Sequence, residues 1–380
     1  MSKVPAIVFC ISGHGFGHAS RDVEVINTLY ARHPDWKFVV RTAAPRWFFD
    51  TALRAPIEWE SVECDPGVVQ VDSLHVDVEA TLHRAASFYA TLDERVRAEA
   101  PMLEGAALVV GDIPPLACAA ARAAGVPCLA LGNFTWDWIY ENYEESPALA
   151  PGLVQTIREA YGHASGALRL PLHGGFSAFR AVVDVPFIAR RSRRDRAELR
   201  AWLGVPLDSR LVLASFGGYG VREFDMSALA RLDGFTVLVT ADIEAERRGS
   251  SQSQSAPAFE LPDTVRYVDE RALRASGFAY EDLVAAVDVV ATKPGYGIIA
   301  ECAANGAAML YTSRGRFPEY DVLVRGMPRY IRSEFISPED LVQGRWQEPL
   351  ERLVSRPPAP ETPDVSGAEV VAGIIESFVL

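Results

Sequence analysis

Short runs of apolar, β-branched residues alternate almost from end to end with stretches in which apolar positions recur every three or four residues. That alternation predicts βαβ units built around parallel sheets. In the first half, strands are expected at Ala6–Ile11, Lys37–Thr42, Leu108–Asp112 and 128–131, each leading through a turn into a helix. After His18, the residues Val23, Ile26 and Tyr30, with Val25 and Leu29 beside them, fall on one helical stripe. Residues 78–103 predict one long helix, broken only near Pro101. A second α/β series begins near residue 190, with strands expected at 211–216, 236–240, 287–291 and Ala308–Tyr311. A proline-rich stretch, 357–363, precedes an amphipathic helix at 366–379, which suits a chain that crosses back onto its first domain. The expectation is an α/β protein of two Rossmann-like domains, 1–188 and 189–357, with 358–380 as the crossover helix.

The 380 residues are too many for one ordinary core, and an apolar share of 49 % is that of a folded protein. The net charge of −13 repels phosphate backbones, so no nucleic-acid partner is expected. Five cysteines, none in a CxxC pair, point to buried thiols in a reducing compartment. The apolar run at 4–11 leads into glycine and histidine rather than a cleavage site, and no segment has the apolar length of a membrane span. A cytoplasmic location follows as the expectation. The run Arg190-Arg191-Ser192-Arg193-Arg194-Asp195-Arg196 reads either as a solvated linker or as a face toward an anionic acceptor. The serine- and glutamine-rich stretch 249–255 reads as a surface loop.

Three glycine clusters follow strands. The first is Gly13-His14-Gly15-Phe16-Gly17-His18-Ala19. It lacks the third glycine of a dinucleotide fingerprint, and its second strand ends Val40-Arg41-Thr42 without the acidic residue that fingerprint needs. Histidines at the carboxyl end of a first strand lie where open α/β sheets bind ligands, and His18 or His14 can take a proton from a hydroxyl near neutral pH. The bland alternative is that both bond neighbouring loops. Asp112 ends its strand at the same edge, as the partner of His18 or as the base itself. The second cluster, Ser215-Phe216-Gly217-Gly218-Tyr219-Gly220, can cradle a diphosphate on backbone N–H groups, or can be a plain turn. In the third, Thr292-Lys293-Pro294-Gly295-Tyr296-Gly297 opens a helix that carries Glu301. Lys293 can meet a phosphate, and Glu301 can accept two ribose hydroxyls. Asn133, Trp136 and Asp137, with Phe16, offer aromatic faces and polar groups to a sugar. Glu319 follows the next strand of the second domain. No ligand-spaced His or Asp cluster predicts a metal, and Asp77-Val78-Glu79 reads as charge at a helix start.

The turn before a ribose-binding glutamate resembles the nucleotide site of GT-B glycosyltransferases. More closely, the chain resembles the glycosyltransferase-like N-terminal half of plant L-arabinokinases. The resemblance is carried by the first glycine–histidine loop, Gly111-Asp112-Ile113-Pro114-Pro115, Asn133-Phe134-Thr135-Trp136-Asp137-Trp138-Ile139-Tyr140, Phe216-Gly217-Gly218, Gly295-Tyr296-Gly297 and Gly367-Ala368-Glu369-Val370-Val371-Ala372. No GLSSS-type phosphate loop occurs, so kinase chemistry has no residues to carry it. The resemblance implies a GT-B fold and a metal-independent, inverting glycosyl transfer in a cleft between the domains. A nucleotide-diphosphate sugar, UDP- or dTDP-linked, would give its sugar to a small-molecule or glycan hydroxyl with no cofactor. Catalysis would fall to His18, His14 and Asp112. The donor would be held by Gly217, Gly218, Tyr219, Lys293, Gly295, Tyr296, Gly297, Glu301 and Glu319, and the acceptor by Phe16, Asn133, Trp136 and Asp137. The rivals are a nucleotide-sugar epimerase and a non-catalytic sugar-nucleotide sensor.

Overall fold

The computed structural model describes residues 4–216, 226–229, 231–240 and 264–380, so Gly217, Gly218, Tyr219 and the 249–255 stretch lie outside the described residues. The chain divides into two compact units. The first comprises the described residues of Met1–Val69, Asp77–Ala189 and Asp364–Leu380, and the second those of Gln70–Val76 and Arg190–Pro363.

In the first unit the described strands are β1 (Ala6–Ile11), β2 (Lys37–Thr42), β3 (Ile57–Ser61), a short pair β4 (Val69–Gln70) and β5 (Val76–Asp77), β6 (Leu108–Asp112), β7 (Cys128–Phe134), β8 (Gly166–Gly174) and β9 (Val182–Asp184). Seven of them form one parallel sheet in the order β3-β2-β1-β6-β7-β8-β9. Ile7, Phe9 and Ile11 enter the main core on one face while Val8 and Cys10 are buried on the other, as a sheet covered on both sides requires. The helix Gly367–Val379 packs Ala368, Val371, Ala372 and Ile375 into that core. Glu376 of this helix also meets Arg32 and His33 at the end of the helix Phe16–Arg32.

The second unit has the described strands β10 (Arg210–Ala214), β11 (Phe235–Thr240), β12 (Val265–Val268), β13 (Val289–Thr292), β14 (Ala308–Tyr311) and β15 (Ser333–Phe335). All are parallel, in the order β12-β11-β10-β13-β14-β15. In both sheets the order reverses at one point, between β1 and β6 and between β10 and β13. The carboxyl edge at such a reversal is where doubly wound sheets take ligands.

The 78–103 stretch differs from expectation. It forms two helices, Val78–Ala90 and Leu92–Leu103, and Pro101 lies inside the second. The break falls at Thr91, whose hydroxyl bonds the Phe88 carbonyl at 3.0 Å and so competes with the helix ladder. Asp77 caps the first helix by accepting from the Ala80 N–H at 2.9 Å. All five cysteines are free and buried, with Cys118 and Cys128 Sγ 3.8 Å apart. Among the described residues no helix is long and apolar enough to cross a membrane.

Candidate functional site

The turns leaving β1 and β6 meet at the sheet reversal of the first unit. Gly15 begins the helix Phe16–Arg32 with φ 75°, a region that favours glycine. This places His18 in the first helical turn, buried, with Nδ1 2.7 Å from Asp112 Oδ1. Arg21, one turn further along the same helix face, donates through Nε and Nη2 to the two oxygens of Asp112 and through Nη1 to Asn133 Oδ1. The amide of Asn133 donates to the Pro171 carbonyl at 2.7 Å. Arg21 Nη2 also lies 2.8 Å from His18 Nδ1. A carboxylate only accepts, and Arg21 is already engaged by Asp112 and Asn133. The consistent tautomer therefore puts the proton on Nδ1, donated to Asp112, and leaves Nε2 as the basic nitrogen. Burial disfavours the Asp112 anion, but Arg21 and then His18 outweigh it and hold the carboxyl below its ordinary range.

Two more carboxyls stand beside this couple. Burial, and then the charge of Asp112, push the Asp22 carboxyl well above the carboxylate range. Asp65, buried in the segment after β3, accepts from Ser12 Oγ at 3.0 Å. Burial pushes its carboxyl up to about 6, against the opposing pull of His18, the Ser12 hydroxyl and the Trp136 indole. Ser12 Oγ in turn accepts the His14 N–H at 3.3 Å. Two residues beyond Asp65, Gly67 (φ 61°) lies against the His14 side chain, where a Cβ would come 2.9 Å from Nδ1.

The candidate acceptor residues separate. Asn133 belongs to the His18–Asp112 cluster through Arg21. Trp136 is 1 % exposed and stacked on Tyr140 at 5.6 Å, with the His14 ring edge-on at 5.9 Å. Asp137 is buried and accepts from Arg158 Nε at 3.0 Å. Phe16 stacks on Phe48 at 5.3 Å and meets Trp47 at 5.7 Å, on the apolar core rather than beside His18.

In the second unit, β13 ends at Thr292, and Lys293-Pro294-Gly295 lead into the helix Tyr296–Asn305, with Gly295 as its N-cap and Gly297 in its first turn. Among the described residues no side chain is bonded to Lys293 Nζ. Burial, and then the like charge of Arg314, push the Lys293 ammonium well below its ordinary range, with Glu319 opposing. Arg314 is buried after β14 and donates to Glu319 Oε1 at 3.1 Å, with its guanidinium 3.7 Å above the Phe317 ring. Glu301, 4 % exposed, accepts from Arg190 Nε at 2.7 Å. Arg190 also reaches Glu281 at 3.6 Å.

The basic run is an exposed connector that ends at the N-terminus of the helix Arg196–Trp202, with Asp195 as its cap, and of its arginines Arg190 alone is drawn into the unit. Arg190 holds Glu301, Arg194 donates to the Gly277 carbonyl at 3.1 Å, and Arg196 pairs with Asp288 at 2.6 Å. Segment 70–76 closes on this same unit. Ser73 Oγ donates to the Phe216 carbonyl at 2.7 Å, and a Cβ on Gly315 would lie 2.8 Å from the Leu74 carbonyl. Among the described residues no three His, Cys, Asp or Glu side chains are grouped as a metal ion needs.

Sequence reasoning did not assign Arg21, Asp22, Asp65, Ser12 or Arg190. Arg21 had a signal, since it sits three residues from His18 on a helix. Asp65 had none, because it lies in the aperiodic segment Cys64-Asp65-Pro66-Gly67, outside any helix or strand.

No protein-family model matches the chain. The L-arabinokinase of Arabidopsis thaliana is 31 % identical over 385 residues, covering 99 % of this chain and 34 % of that protein. The chain spans about a third of the length of that curated relative. Among solved structures, the calicheamicin glycosyltransferase CalG4 superposes with a TM-score of 0.63 at 15 % identity, covering 99 % of this chain and 98 % of that one. UGT89C1 of Arabidopsis thaliana, solved with quercetin, gives 0.62 at 14 % identity with 100 % of both chains covered. The spinosyn rhamnosyltransferase SpnG gives 0.59 at 12 % identity, covering 98 % and 96 %. The chain has the GT-B fold of two parallel-sheet α/β units.

Proposed function

We propose that the chain is a glycosyltransferase that moves a sugar from a nucleotide-diphosphate donor to a hydroxyl acceptor with inversion. The observation that carries this reading is the buried His18–Asp112 couple at the sheet reversal of the first unit. His18 Nε2 takes the acceptor proton as the new glycosidic C–O bond forms and the bond from the anomeric carbon to the diphosphate oxygen breaks. Asp112 steadies the imidazolium that results, and Arg21 fixes the carboxylate in place. The departing diphosphate carries its charge to Lys293 and the N-terminus of the helix Tyr296–Asn305. Glu301 and Glu319 are the carboxylates assigned to ribose and sugar hydroxyls. UDP- and dTDP-sugars are the favoured donors by likeness to glycosyltransferases of this fold, and the chemistry assigned here requires neither metal nor cofactor.

Asp65 beside His18 supplies a second acid–base group, which is what a nucleotide-sugar epimerase needs. Mass spectrometry of products from UDP-, dTDP- and GDP-sugars with a broad panel of hydroxyl acceptors separates the readings. Glycosyl transfer adds one sugar to an acceptor, and His18→Asn lowers its rate by about 10²–10⁴. A sugar altered without any acceptor means epimerisation. Tight donor binding with no turnover across the panel means a sensor.

A further inference from the structure

The turns after β13 and β14 bring Lys293, Arg314 and Glu319 together at one carboxyl edge. Their strands are hydrogen-bonded neighbours, with Thr292 opposite Tyr311. The Thr312 N–H also bonds the Thr292 carbonyl at 3.3 Å. Two neighbouring cations repel each other, and Glu319 offsets only part of that repulsion by bonding Arg314 at 3.1 Å. Lys293 has no bonded carboxylate among the described residues, and the helix Tyr296–Asn305 begins three residues beyond it. The turn that carries Arg314 is itself confined, since the Leu74 carbonyl sits against Gly315.

We propose that Arg314 is a diphosphate-binding residue and that its pair with Glu319 is a resting state which the donor exchanges. On binding, Arg314 and Lys293 take the diphosphate oxygens, and Glu319 is released to accept a hydroxyl of the transferred sugar. The inference rests on the proposed donor chemistry and deepens it. Diphosphate recognition and sugar recognition become coupled, because the same movement that satisfies Arg314 frees Glu319. The depressed basicity of Lys293 fits this arrangement, since an incoming dianion relieves the repulsion that causes it.

The test is calorimetric titration of the full chain with inorganic pyrophosphate and with UDP, dTDP and GDP. The proposal expects Arg314→Met to weaken pyrophosphate and the preferred nucleotide at least tenfold. It expects Glu319→Gln to tighten pyrophosphate several-fold, by freeing Arg314. Should Arg314→Met fail to fold, the opposite-signed response of Glu319→Gln still decides. Nucleotide binding that a folded Arg314→Met leaves unchanged, or pyrophosphate weakened by Glu319→Gln, overturns the proposal and leaves the donor assignment standing. Pyrophosphate bound without any nucleoside diphosphate, and weakened by Arg314→Met, keeps the anion seat and overturns the donor assignment. Binding of neither overturns both.

Discussion

Replacing Asp65 by Asn should stabilise the protein above neutral pH and leave it unchanged in acid. The carboxyl is buried, and its pKa rises from the ordinary 3.8 to about 6 because burial penalises the anion. A raised folded-state value means that the neutral acid is the favoured form in the fold. Its stabilising contribution is full below pH 3.8 and is lost as the pH climbs through about 6. The rise corresponds to ~3 kcal/mol. Asn keeps an oxygen for the Ser12 hydroxyl, which donates at 3.0 Å, and carries no charge to desolvate. The difference between the two proteins isolates this one group, with its coupling to His18 and Asp112 included. Urea unfolding followed by tryptophan fluorescence, at pH 4 and at pH 8, measures it. Asp65→Asn should match the parent at pH 4 and exceed it by about 2–3 kcal/mol at pH 8. A destabilised variant at pH 8 would refute the reasoning. It would mean that the ionised carboxylate holds Ser12 and the His14 turn strongly enough to outweigh its burial.

The Arg21–Asp112 pair should behave as one unit. Arg21→Met and Asp112→Asn each leave a buried partner charge and should cost about 3–5 kcal/mol, with the double variant costing clearly less than their sum in a denaturation cycle. Glu301→Gln should weaken binding of the preferred nucleoside diphosphate at least tenfold. It should also destabilise the fold by about 2–3 kcal/mol, because Arg190 loses its main partner. Adding Arg190→Met should restore stability without restoring affinity, and unchanged nucleotide affinity in Glu301→Gln would make Glu301 purely structural.

The sheets were legible because their central strands are buried on both faces. Such strands carry an apolar centre, and Ala6–Ile11, Lys37–Thr42 and Leu108–Asp112 were placed to the residue. The strands that sequence reasoning passed over are mostly the outer ones, β3, β9, β12 and β15. Half-exposed side chains there dilute the apolar signal, as in Ile57–Ser61. Asp112 was visible as a polar residue closing an apolar strand, and His18 as part of the glycine loop and helix start that follow another strand at the same sheet edge. Their wiring was not. Arg21 looks like an ordinary helix-surface cation until the fold sets it against Asp112, 91 residues away. The same holds for Arg190 and Glu301, 111 residues apart, where a basic run suggested solvent and the fold supplied carboxylates. Spacing along the chain carries local geometry, and these pairs are made by the sheet order.

On the proposed function, the turn at Lys293 binds the diphosphate of an activated sugar while His18 does chemistry on the acceptor. Calorimetry of UDP and dTDP against the parent chain, Lys293→Met and His18→Asn tests it most directly. The account predicts that Lys293→Met loses at least tenfold in nucleotide affinity while His18→Asn binds as the parent does. Equal binding by Lys293→Met and the parent, with both proteins folded, would contradict it.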